Sequence, residues 1–161
     1  MNIFEEGKED MNKKGNYLMI GMLIAIVVFN VIAFATNQRL TKNQIIHIWT
    51  FTMVFQMLVD HIIDGKYHGY WYFGEQPEWK DLLPITVLIP PVNMIFLHWY
   101  PFAKGIYKRI MYVAVWVLVI TFYELITLLP EPWGYFSYGW WHTWYSAIVN
   151  PFFAYERNLI L

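Results

Sequence analysis

Asp60-His61-Ile62-Ile63-Asp64 puts two carboxylates and an imidazole at the end of a long apolar run. A charged side chain at membrane depth costs at least about 2.5–3.5 kcal/mol on insertion scales, so such groups persist where they have partners or a task. On a helix, His61 and Asp64 at i, i+3 can share one ion, and Asp60 and Asp64 at i, i+4 point the same way. Carboxylates with imidazoles are a ligand set for zinc, manganese or non-haem iron. A divalent ion would offset the burial of two acids one turn apart. In a hydrolase it would activate water, with Glu124 as general base. The chain contains no His-Glu-x-x-His motif. The plainer reading makes Asp60 and Asp64 helix-end groups at headgroup level, bonded to Tyr, Trp and Lys66.

Taken as a helix at about 100° per residue, the segment carries His47, Thr50, Met53, Met57, Asp60, His61 and Asp64 within an arc of about 140°. Such a polar stripe is expected to face other helices rather than lipid. Alternating spans would bring Glu124, Glu131, His68 and His142 to the side of Asp60 and Asp64. The expected metal ligands are Asp60, His61, Asp64, Glu124 and His142, with zinc or manganese as the ion. Glu124 lies deeper in its span, with Thr121 and Thr127 on its face. It reads either as a ligand or proton carrier, or as a protonated acid hydrogen-bonded to a neighbouring helix. His47 and His61, with His98 and His142 at matching levels, offer axial ligands for two stacked haems. Trp49, Trp99, Trp141 and Trp144 crowd those histidines and weigh against it.

These residues sit in a chain of 161 residues, 58% hydrophobic and 14% charged, with mean hydropathy +0.34. Soluble domains carry about 25% charged residues, so this composition points to lipid as the solvent. At about 20 residues per span, the length allows four or five spans with short loops. A formal net charge of −1 argues against a nucleic-acid partner. The absence of cysteine excludes disulfides, thiolate metal sites, iron–sulfur clusters and a cysteine nucleophile. Aromatic residues make up 20% of the chain and crowd two connections, 67–79 and 133–145. Trp and Tyr gather at membrane interfaces, where one end of the ring is apolar and the other seeks a hydrogen bond. Residues 135–145 therefore read as an interfacial anchor, or as a grip on a lipid headgroup or isoprenoid chain.

Along the chain, residues 1–14 read as a polar tail ahead of one transmembrane helical domain, 15–161. Spans are expected at about 17–35, 44–63, 82–100, 110–129 and 138–154. Ala33-Phe34-Ala35 resembles a signal-peptidase site, but the apolar run before it exceeds the usual signal length and favours a retained anchor. Pro90 and Pro91 remove two donors from the third span and strand the carbonyls of Thr86 and Val87. In a bilayer those carbonyls need a neighbouring helix, a side chain or a water-filled cavity, and Asn93 is one turn away. The third helix is thus expected to kink or break there, in a manner that also resembles the discontinuous helices of transporters. With five spans, Arg39, Lys42, Lys104, Lys108, Arg109 and Arg157 fall on one side and Lys8, Lys13, Lys14, Lys66 and Lys80 on the other. Basic residues mark the cytoplasmic side, and these near-equal sets decide little. Placing the two aromatic connections outside puts the N-terminus outside and the C-terminus inside.

The run Leu128-Leu129-Pro130-Glu131-Pro132-Trp133-Gly134-Tyr135 and the later Trp141-His142-Thr143-Trp144-Tyr145-Ser146 resemble a family of small polytopic membrane proteins from spore-forming Firmicutes. Tyr123-Glu124-Leu125-Ile126 and the segment from Asp60 to Asp64 are similar to it as well. The resemblance implies a multi-helix fold in a bacterial cell or spore membrane and supplies no catalytic residues. The expected fold is an all-α integral membrane bundle of five helices, or four if the last segment lies in the interface. The expected role is a non-catalytic membrane component whose buried His/Asp/Glu cluster ties the helices together and binds a divalent ion or protons. The alternative is a metal-dependent membrane enzyme acting on a lipid-linked substrate; a haem protein or a small transporter subunit ranks behind both. Expected partners are the bilayer and either a second copy or a membrane protein.

Overall fold

The computed structural model describes residues 3–76, 78–130 and 132–148, with side chains from residue 19 onward. The main elements are α1 (Ile3–Thr36), α2 (Lys42–Asp60), β1 (Tyr70–Tyr72), α3 (Ile89–Trp99), α4 (Ile106–Thr127) and β2 (Phe136–Tyr138). Among the described residues, four helical segments are long and apolar enough to cross a membrane: Met19–Thr36, Lys42–Lys66, Trp79–Trp99 and Ile106–Thr127. Of the fifth expected span, 138–154, Tyr138 ends a strand, residues 143–148 are helical, and the remainder lies outside the described residues. The polar segment expected as a tail is largely taken up by α1, whose helical winding starts at Ile3.

α2 opens on a capping box. Thr41 Oγ1 accepts from the Gln44 amide at 3.3 Å, and Gln44 Oε1 accepts from the Thr41 amide at 2.9 Å. Two of the orphan donors at the helix start are satisfied this way. Beyond Asp60 the chain widens into a π-helical turn, His61–Lys66. A π turn rotates less per residue than an α turn, so His61 and Asp64 leave the register of the helix before them. His47, Thr50, Met57 and His61 are exposed, while Ile48, Thr52 and Asp60 are buried at a spacing of four or a multiple of it. The interior face of α2 is therefore not the one expected from its polar residues.

The third span is wound in two ways. Pro84–Leu88 forms a π-helical segment closed by the Ile89 amide donating to the Pro84 carbonyl. α3 then starts with Pro90 and Pro91 in its first turn, where a missing amide donor is tolerated. The break falls just before the proline pair instead of at it. The stranded carbonyls are met from neighbouring helices: Trp49 Nε1 donates to Thr86 O at 2.8 Å, and Asn30 Nδ2 donates to Val87 O at 2.8 Å. Asn93, the expected helper, instead donates to Thr52 Oγ1 at 2.9 Å. The freed carbonyls thereby fasten α1 and α2 to the third span.

This span forms the centre of the bundle. Of its most apolar window 56% is buried, against 6% for α4. Met94, Ile95, Phe96 and Leu97 pack with Ala33 of α1 and Ile48 of α2. α4 reaches this core through Tyr112 and Trp116, whose rings lie 5.4 Å from that of Phe96. Its outer face, with Ile110, Leu118, Val119 and Phe122, is exposed. That is the surface lipid would cover.

A two-stranded antiparallel ribbon lies at one end, pairing Tyr70 with Tyr138, Trp71 with Ser137 and Tyr72 with Phe136. It unites the two aromatic connections, which were expected on one side but not as strands. The chain takes left-handed backbone at His68 (φ 49°) and Phe73 (φ 54°), one on each flank of β1. Non-glycine residues rarely adopt that region. Gly21 lets the loop after α4 rest on α1, since a Cβ there would collide with the Trp133 carbonyl. The Gly21 amide donates to Pro132 O at 3.3 Å across that contact.

Candidate functional site

The ribbon is held by two acids. Residues directly opposite in an antiparallel pair project to the same face, so Tyr70 and Tyr138 both point toward the helix ends. Asp60, the last residue of α2, accepts on Oδ1 from Tyr70 OH at 2.5 Å and from Gln56 Nε2 at 2.8 Å. Glu124, one turn before the end of α4, accepts on Oε1 from Tyr138 OH and from Ser146 Oγ, the latter at 2.7 Å. Tyr138 OH also contacts Thr143 Oγ1 at 2.9 Å. Each strand is thus tied to its own helix by a phenol–carboxylate bond.

Both phenols stay protonated far above neutral pH. Burial pushes Tyr70 up, and the nearby Asp60 charge and their hydrogen bond push it further. Tyr138 is pushed up to about 12, first by burial and then by its bond to Glu124. A phenol kept neutral remains a hydrogen-bond donor.

The two acids differ in what their second oxygens meet. Asp60 is 8% exposed, and its Oδ2 is buried without a hydrogen-bond partner among the described residues. Asp64 and Asp81 lie close enough for their charges to act on it. Asp81, which opens the third span, also has a buried unpartnered oxygen, Oδ1. Sequence reasoning passed over Asp81; its place just before an apolar span, after Pro77-Glu78-Trp79, was the available signal. Glu124 is less buried and lines a cavity.

That cavity has a volume of about 260 Å³ and lies between α2, α3, α4 and the ribbon. Phe51 and Phe55 of α2, Val92 of α3 and Ile120 of α4 form its apolar wall. Tyr72 and Phe136 close the ribbon end. Gln56, Asn93, Glu124 and Ser146 supply polar atoms.

The expected metal ligands differ in burial. Asp60 faces Tyr70, whereas His61, His68 and His142 are exposed and Asp64 is half-buried. The His142 ring lies against those of Tyr138 and Tyr145. Glu131 lies outside the described residues. Among the described residues, no three His, Asp or Glu side chains are grouped so that they could hold one metal ion. Of the four histidines considered for haem, only His98 is buried. Thr121 and Thr127, on the face of Glu124, do not bond its carboxyl group among the described residues. Thr127 Oγ1 donates to the Glu124 backbone carbonyl at 2.7 Å, and Thr121 Oγ1 is buried without a partner.

No family model matches this chain, and neither the curated proteins nor the solved structures yield a match.

Proposed function

We propose that this chain is a multi-pass membrane protein with a non-catalytic role, in which buried acids fasten an aromatic cap across the helix ends. What carries the reading is the paired bonding of cross-strand partners: Tyr70 to Asp60 and Tyr138 to Glu124. Both acids spend an oxygen on holding the cap, which is a structural use. The four long apolar helices support the membrane assignment, and the resemblance to small membrane proteins of spore-forming bacteria supports a cell or spore membrane. A non-catalytic component of this size works through what it binds, a lipid, a second copy or another membrane protein.

A divalent-ion site, with a metal-dependent enzyme behind it, is the second reading. What favours it is the pair of unpartnered buried oxygens on Asp60 and Asp81, since a cation is the strongest partner such oxygens can find. Elemental analysis of detergent-purified protein separates the two. If the acids only fasten the cap, no stoichiometric zinc or manganese is expected in the wild type or in Asp60→Asn. A stoichiometric ion, lost in Asp60→Asn, would replace it with the metal reading, because a ligating carboxylate must be charged. Carbonate washing of membranes tests the assignment beneath both, and a chain that spans the bilayer stays in the pellet.

A further inference from the structure

The cavity beneath the cap belongs to none of the roles given to the acids. We infer that it binds the end of a neutral, single-chain lipid alcohol, with the hydroxyl group donating to Glu124 and the chain lying between α2 and α4. The inference rests on the reading of this chain as a membrane protein.

Size sets the first limit. A dry cavity of about 150 Å³ accommodates benzene, six carbons, so 260 Å³ has room for a chain end of about ten carbons. A two-chain lipid does not fit, and a chain end with a small head does. The wall is the second limit. Phe51, Phe55, Val92 and Ile120 offer hydrocarbon and aromatic surface without a charge, and α4, which forms one side, presents its outer face to the surroundings. A wall of this kind suits a ligand drawn from the lipid phase.

Charge decides the head. Among the described residues that line the cavity, Glu124 is the only Asp, Glu, Lys, Arg or His. A phosphate or fatty carboxylate would be buried beside an acid with no cation to compensate it, which is costly. Glu124 Oε1 already accepts from Tyr138 and Ser146. Its Oε2 makes no hydrogen bond among the described residues, and a carboxyl oxygen can accept from a hydroxyl donor. A hydroxyl group supplies that donor and adds no second charge to the cavity.

The test uses full-length protein in phosphatidylcholine vesicles and a photoreactive diazirine-bearing long-chain primary alcohol. Probes with the same chain and a phosphate or trimethylammonium head are run in parallel. The alcohol should label the protein at least fivefold more than the phosphate probe and more than the ammonium probe. Ile120→Trp, which fills the cavity, should cut alcohol labelling at least fivefold. If that variant is lost from the membrane, Val92→Trp is read in its place, and the headgroup comparison on the wild type stands independently. Equal labelling by alcohol and phosphate, preference for the ammonium head, or undiminished labelling of a folded filled-cavity variant would each overturn the inference. A chain that resists carbonate but fails these criteria sinks the lipid site alone, whereas a chain extracted by carbonate sinks the membrane reading first.

Discussion

At the end of α2, Asp60 is almost wholly enclosed, with Tyr70 and Gln56 on one oxygen and no described residue bonded to the other. One turn before the end of α4, Glu124 makes the corresponding bond to Tyr138, but beside a cavity and with Ser146 as its second donor. The bonds are alike and the surroundings are not. Asp60 is enclosed and finds no replacement for lost donors, whereas Glu124, at the cavity wall, can turn to other polar atoms or to an incoming ligand. The α2 clamp is therefore the one that sets stability, and the α4 clamp the one free to take part in binding.

The largest expected effect that would break this contrast comes from Asp60→Ala. It orphans Tyr70 OH and Gln56 Nε2 together, and the cost should be about 3 kcal/mol. Asp60→Asn keeps an acceptor and should cost about half as much. Unfolding midpoints in micelles check both, and a neutral Asp60→Ala would remove the α2 clamp from the account. Next come the side chains that serve the proline break. Asn30→Ala leaves the Val87 carbonyl unpaired and Trp49→Phe leaves that of Thr86, and each should cost about 1–2 kcal/mol in the same assay. Glu124→Gln retains an acceptor at the cavity wall and should cost less than about 1 kcal/mol. A loss as large as that of Asp60→Ala would show the two clamps to be equivalent.

The smallest effect is the alkaline titration of Tyr138. Its folded value of about 12 stands above the ordinary 10.0. Protonated Tyr138 thus favours the docked ribbon, fully below pH 10 and progressively less as pH rises toward 12. Tyrosinate absorbance should appear for Tyr138 later than for an exposed tyrosine, and Glu124→Gln should bring it earlier. An unshifted titration in the wild type would mean that Tyr138 is not buried against an acid.

Apolar run length made the four long helices legible from sequence, because the length of a span is set by bilayer thickness. The consequence of Pro90-Pro91 was legible too, since a missing amide donor identifies the stranded carbonyl by its number. Which side chains would answer those carbonyls was not: Asn30 and Trp49 lie 57 and 37 residues away, and only packing brings them there. The interior face of α2 was misread because polarity was taken to mean burial. Thr52 is inside because Asn93 needs a partner, and His47 and Met57 are outside. Asp60 and Glu124 stood out as acids that needed partners, yet those partners are tyrosines of a ribbon that no alternating pattern announced. Tyr-Trp-Tyr and Phe-Ser-Tyr are three-residue strands, too short for a periodicity and easily taken for interfacial aromatics.

The most direct test of the account is a double-mutant cycle on Asp60→Ala and Tyr70→Phe, read by reversible unfolding in micelles. Two groups that hold the cap through one bond must lose less together than the sum of their separate losses. The account predicts a coupling of at least about 1 kcal/mol. Strictly additive losses would mean that Asp60 and Tyr70 act independently, and would contradict the clamp.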